Sequence, residues 1–101
     1  MSIDLKGQTA VVTGGSRGIG RAIADALAAA GADVAIGART AADVERAAAE
    51  VEQKHGTRCI GVQCDVRSLK DCETLIDRAV RDLGGLNILI NNAGVGRFAP
   101  V

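Results

Sequence analysis

The chain has no tyrosine and no tryptophan, and Phe98 is its only aromatic residue. Its core must therefore be aliphatic. Net charge is missing too: 12 Lys plus Arg balance 12 Asp plus Glu, and neither sign gathers into a long block. That excludes a broad basic surface for nucleic acid, so any phosphate binding has to be local. No apolar run approaches the roughly 20 residues that cross a bilayer, which excludes a membrane-spanning helix. Met1 to Lys6 contains no apolar signal stretch, and the three cysteines, Cys59, Cys64 and Cys72, are odd in number without CxxC spacing. Both features point to a reducing cytoplasm. Cys64, Cys72 and His55 match no zinc spacing, so the cysteines read as buried thiols and no metal is expected.

What is present is globular: 48% of the residues are hydrophobic and 24% charged over 101 positions, enough for one domain spanning residues 1–101. Gln8 to Thr13 is a β-branched apolar run that ends in glycines, a buried parallel strand. From Gly18, the residues Ile19, Ile23, Leu27 and Ala30 recur at helical spacing, and Gly31 stops the helix. Asp33 to Gly37 is the second strand. Thr40-x-x-Asp43 has the form of a capping box and opens a helix from Ala41 to His55 with Gly56 as its end. The third strand lies within Arg58 to Val66. Ser68-x-x-Asp71 caps a third helix with Cys72, Leu75, Ile76, Ala79, Val80 and Leu83 on one apolar face, ended by Gly84-Gly85. Leu86 to Asn91 is apolar enough to be a buried fourth strand.

The alternation βαβαβαβ with short connections requires right-handed crossovers and a parallel sheet. The expected fold class is α/β: a doubly wound parallel sheet, a partial Rossmann fold with strand order 3-2-1-4. His55, near the end of its helix, is expected to cap it or lie exposed rather than carry chemistry.

Thr13-Gly14-Gly15-Ser16-Arg17-Gly18-Ile19-Gly20 joins the first strand to the first helix, where unpaired peptide N-H groups can face an anion. Gly14 permits the tight turn, Gly18 lets the backbone approach a diphosphate, and Gly20 lets the helix pack against the sheet. The spacing is not G-x-G-x-x-G. A P-loop is excluded because Arg21-Ala22 follows Gly20 where Lys and Ser or Thr are required.

This T-G-x-x-x-G-x-G run resembles the cofactor motif of the short-chain dehydrogenases/reductases. Asn91-Asn92-Ala93-Gly94 is similar to that family's N-N-A-G motif, whose first Asn helps hold the central sheet and whose second lies near the cofactor. Asp65-Val66 resembles its adenine-recognising pair, a carboxylate accepting from the exocyclic amine and a backbone meeting the ring. Read without the resemblance, the asparagines simply end a strand and Asp65 is a solvated strand-end acid. Asn87 stands where many relatives carry Asp, and little functional weight attaches to it.

The resemblance implies a nicotinamide dinucleotide at Gly14, Ser16, Arg17, Gly18, Ile19, Gly20, Arg39, Asp65, Val66, Asn92, Ala93 and Gly94. NAD-binding members keep an acid at the end of the second strand for the ribose hydroxyls, and here that position is Ala38. Arg39 follows, and Arg17 can approach the same group, so NADP(H) is expected over NAD(H).

The family's chemistry uses an upstream Ser with Tyr-x-x-x-Lys. No tyrosine exists here, and no triad or carboxylate pair replaces it. The resemblance covers nearly all of this chain but less than half of a typical member, and the chain stops abruptly at Phe98-Ala99-Pro100-Val101. The expectation is the N-terminal part of an NADP(H)-dependent oxidoreductase acting on a carbonyl/alcohol pair, truncated, binding cofactor and lacking catalysis, with no substrate legible. A stand-alone nucleotide-binding or interaction module remains the other reading. Full-length relatives are expected to be homo-oligomers, and this chain to self-associate through an exposed fourth strand.

Overall fold

The computed structural model describes residues 3–92. Strand and helix alternate as β1 (Thr9–Thr13), α1 (Gly18–Ala29), β2 (Asp33–Ala38), α2 (Ala41–His55), β3 (Cys59–Gln63), α3 (Leu69–Leu83) and β4 (Ile88–Asn91). All pairings are parallel and the order is β3-β2-β1-β4, as the alternation requires. None of the described helices is long and apolar enough to cross a membrane.

The period of two along β1 sends its side chains to two cores. Ala10 and Val12 join Ala24, Ala28, Val44, Ala48 and Val51 on the face covered by α1 and α2. Val11 joins Leu75, Ala79 and Leu83 on the face covered by α3. With both faces covered, all five residues of β1 are buried, which is why the strand reads as a continuous apolar run.

Two apolar stripes are narrower than their spacing implies. The buried residues of α1 are Gly20, Ala24 and Ala28, with Ile23 and Leu27 packed at the margin, whereas Ile19 is 65% exposed. In α3 Leu75, Ala79 and Leu83 are buried, and Val80 is exposed. At roughly 100° per residue, Val80 lies about 100° from the centre of the Leu75-Ala79-Leu83 stripe and Ile19 about 140° from that of Gly20-Ala24-Ala28, so both sit beyond the sheet's reach.

The helix ends differ in how they are held. Gly31 follows α1 with φ +105°, while its N-H donates to Ala28 O at 2.9 Å and that of Ala32 to Leu27 O at 3.0 Å. The expected capping box at Thr40 does not form: Thr40 makes no side-chain cap, and the Asp43 carboxylate accepts instead from Arg46 at 2.8 Å. At Ser68 half of the box is present. Its Oγ accepts from Asp71 N at 3.2 Å, but the Asp71 carboxylate turns to Asp65 N at 3.0 Å. The Asp side chain is one methylene shorter than the Glu that closes such a box.

At the pole where β1 and β2 begin, Arg58 grips Asp33 through Nε at 3.0 Å and Nη2 at 2.8 Å. The same guanidinium donates to the carbonyls of Asp82 and Leu83 at the end of α3, both at 3.1 Å. A cation at a helix C-terminus meets the negative end of its dipole.

The expectation of a buried β4 is corrected. Among the described residues the strand pairs with β1 alone, and Leu89 is 57% exposed because no described element covers its outer face. Asn87 does more than its modest expectation. Its N-H donates to Thr9 O and its Oδ1 accepts from Thr9 N, both at 2.8 Å, extending the β1–β4 ladder by one position. Asn87→Ala should cost about 1 kcal/mol in urea unfolding, the worth of one such bond, while Asn87→Asp keeps the acceptor and should cost clearly less.

Candidate functional site

The C-terminal ends of β1, β2 and β4 are level, with Thr13 paired to Gly37 on one side and to Asn91 on the other. Here the chain order reverses direction across the sheet, the place where doubly wound folds open a crevice. The turn after β1 is held from both neighbours. Gly14 N donates to Gly37 O at 2.7 Å, and Thr13 Oγ1 donates to Asn91 Oδ1 at 3.0 Å while accepting from Asn92 N at 3.0 Å. Asn92 Nδ2 reaches Gly14 O at 3.4 Å. Asn91 thus ties β4 to β1, and Asn92 touches the glycine turn itself.

Two glycines in the turn have separate steric reasons. Gly18 adopts φ +63° and a Cβ there would meet nothing within 4 Å, so the space before α1 is open. Gly20 is the opposite case: a Cβ would lie 2.0 Å from Gly14 O and 2.7 Å from Asn92 Nδ2. Arg17 precedes α1 in extended conformation, no side chain caps that helix and no acid occupies its first turn. Its first N-H groups are therefore available to an anion.

A cleft of about 630 Å³ opens from this turn over the ends of β2 and β3. It brings together Gly14, Ser16, Arg17, Arg39, Asp65 and Val66 among the expected residues, and adds Ala38, Thr40, Asp43, Cys64 and Arg67. Gly18, Ile19 and Gly20 stand on the first turn of α1 beside the cleft rather than in its lining. Ala93 and Gly94 lie outside the described residues. Neither the Arg17 nor the Arg39 guanidinium has a hydrogen-bond or ion-pair partner among the described residues, although Arg39 O accepts from Gln63 Nε2 at 3.1 Å and so fixes its backbone.

Asp65 is held by Arg67 at three points. Its Oδ1 accepts from Arg67 N at 2.9 Å and Nε at 3.1 Å, and its Oδ2 from Arg67 Nη2 at 2.8 Å. The Arg67 side-chain hydrogen bond, then its backbone N-H, lower the Asp65 pKa to about 2 against the opposing effect of burial, with the Arg39 charge assisting. No motif marks Arg67; an acid two residues before an arginine at a strand end is the sole hint in the sequence. Burial foremost, then Glu52, pushes the Cys59 thiol up to about 12, and burial with Cys72 nearby raises Cys64 to about 11. Both are protonated at neutral pH and serve as packing groups. Among the described residues no group of three His, Cys, Asp or Glu is placed to hold a metal ion.

Comparison with known proteins agrees with this geometry. A family model described as short chain dehydrogenase matches residues 8–101. General stress protein 39 of Bacillus subtilis is 44% identical over 91 residues, which are 89% of this chain and 32% of that protein. The 3-oxoacyl-acyl-carrier-protein reductase of Aquifex aeolicus is 37% identical over 97 residues, 96% of this chain and 39% of its own length. In three dimensions the chain resembles L-sorbose reductase of Gluconobacter frateurii, solved with NADPH and L-sorbose: TM-score 0.88, 36% identity, covering 93% of this chain and 36% of that one. The chain thus spans about a third of the length of these relatives.

Behind the glycine turn a charged network clamps α1 to α2. Arg21 bonds Asp25 at 3.1 Å and Glu50 at 2.8 Å, and His55 Nε2 sits 3.0 Å from Asp25 Oδ1. His55, its side chain only 14% exposed, is thus neither a cap nor a solvent-facing residue, because Asp25 draws it against α1. Burial works to raise the Asp25 pKa, but the His55 hydrogen bond and the Arg21 and Lys54 charges outweigh it and the net shift is downward. A carboxylate whose pKa is lower in the folded state stabilises the fold above its unfolded value, near 3.8 here, and that stability is lost as pH falls through the folded value. Thermal midpoints should fall as pH is taken from about 4 towards 2, less steeply in Asp25→Asn. Gly20→Ala should destabilise by about 1–3 kcal/mol at any pH, since its Cβ meets backbone, and calorimetric melting would show it.

Proposed function

This chain belongs to the short-chain dehydrogenase family, and we propose that it is the NADP(H)-binding part of an oxidoreductase acting on a carbonyl/alcohol pair. The observation that carries the cofactor choice is the pair of unpartnered guanidiniums, Arg17 and Arg39, in one cleft beside Ala38, where an acid would repel a 2'-phosphate. The NADPH held by the structurally similar L-sorbose reductase supports the same choice.

In this reading the turn from Gly14 to Gly20, including Ser16, Gly18 and Ile19, takes the diphosphate on backbone N-H groups. Asp65 and Val66 take the adenine, and Asn92, Ala93 and Gly94 lie close to the cofactor. The nicotinamide, when bound, supplies or accepts hydride. What these residues contribute is binding and orientation: the arginines neutralise phosphate, and the Thr13-Asn91-Asn92 bonds hold β4 against the glycine turn. With no tyrosine in the chain, the proton exchange that accompanies hydride transfer has no carrier of the family's kind in these 101 residues. That absence equally suits a non-catalytic nucleotide-binding module, the second reading. The three free cysteines suit a reducing cytoplasm.

Calorimetric titration at matched ionic strength tests the cofactor choice. NADPH should bind about tenfold tighter than NADH, and Arg39→Ala or Arg17→Ala should weaken NADPH more than NADH, as expected of a lost charge-assisted contact. Equal binding of the two dinucleotides by the unaltered chain would sink it. We further propose that β4, paired on one side only among the described residues, makes the chain self-associate. Sedimentation should show a concentration-dependent mass that Leu89→Lys, on the exposed face, reduces; a strict monomer would overturn the idea.

A further inference from the structure

The Asp65–Arg67 pair is a two-pronged fork reinforced by a backbone N-H. The Arg67 side chain is 74% exposed, yet three of its N-H groups converge on one carboxylate, two on Oδ1 and one on Oδ2, at 2.8–3.1 Å. A carboxylate offers about four lone-pair positions, so this leaves one, on Oδ2. Without such a fork a strand-end Asp rotates about its terminal bond; with it the carboxylate plane is fixed. The backbone beneath is braced as well: Asp65 N donates to Asp71 Oδ2, and Asp65 O accepts from Ser68 N at 2.9 Å. Exposed ion pairs add little to folding, so the pair's consequence is to be sought at the cleft that both residues line.

We propose that Arg67 is a positioning residue for adenine recognition: it occupies three acceptor positions of Asp65 and aims the remaining one into the cleft, where it takes a single N-H from an exocyclic amine. This rests on reading the cleft as a dinucleotide site. It assigns the cleft's three arginines different work. Arg17 and Arg39 are free to meet phosphate, whereas Arg67 acts on the ligand only through Asp65 and does not distinguish NADPH from NADH. A 6-oxo purine has no amine to donate and finds only an acceptor facing an acceptor.

The test is a titration of NADPH, NADH and the deamino analogue of NADPH, with hypoxanthine in place of adenine, into the unaltered chain and Arg67→Ala. The unaltered chain should prefer NADPH to its deamino analogue about tenfold, the worth of one hydrogen bond to a charged acceptor. In Arg67→Ala, NADPH and NADH should weaken by the same factor while the deamino analogue stays unchanged, so that the preference closes. Equal weakening of the amine and oxo ligands would mean a merely structural role and overturn the proposal. A loss confined to NADPH would make Arg67 a phosphate ligand, and tighter binding would make it a blocker of Asp65; either overturns it as well. Absence of all binding to the unaltered chain would overturn this and the dinucleotide reading together, whereas unaltered binding in Arg67→Ala would overturn this one alone.

Discussion

Backbone against backbone at Gly20 is the contact on which the rest of this structure depends. A single methyl group there would stand 2.0 Å from Gly14 O, so α1 approaches the end of β1 more closely than any side chain allows. That approach fixes the path of the five residues between them, turns the uncapped start of α1 towards the cleft, and brings Asn92 within reach of Gly14 O. The same demand runs down the helix. Its buried positions are Gly20, Ala24 and Ala28, because a helix seated this low over the sheet leaves no room for larger residues along its centre line. A core with almost no aromatic volume follows from close approach rather than from weak packing.

Close approach recurs where α2 crosses β3: a Cβ on Gly61 would meet Val44 O at 2.4 Å. The layers are thus set by glycines in strands and helices alike, and the larger residues Leu75 and Ile36 fill what remains on either face. Rigid layers matter for function because they hold the ends of β1, β2 and β3 level while the connections above them vary. The cleft is made almost wholly from those connections.

This division explains what the sequence disclosed. Element order, sheet order and the glycine turn were legible because each rests on a local backbone demand or on a period that two covered faces impose. Asn91 and Asn92 were legible as a motif, though their bonds to Thr13 and Gly14 span nearly eighty residues and could not be read from spacing. Ile19 and Val80 misled because a helical stripe does not announce its width. The burial of β4 misled because an apolar strand reads the same whether or not a neighbour covers it. His55 with Asp25, thirty residues apart, and Asp65 with Arg67, a choice among exposed side-chain rotamers, leave no periodic trace. Asp43 looked like half of a capping box until Arg46 proved the nearer partner.

Charge pairing resolves the apparent conflict between a chain of net charge zero and a site for a polyanion. The cleft's lining holds Arg17, Arg39 and Arg67 together with Asp43 and Asp65. Asp65 is forked by Arg67, and Asp43 is paired with Arg46 on α2, so neither acid forms an ion pair with the other two arginines. At the opposite pole Arg58 is itself consumed by Asp33 and the end of α3. What a ligand meets is therefore two unpaired cations beside an uncapped helix start. At physiological salt, charges more than about 8 Å away are largely screened, so the balanced remainder of the surface counts for little there. A neutral protein can present a strongly anion-seeking cleft when it pairs its acids elsewhere, and the residues that do that pairing shape the site as surely as those that face the ligand.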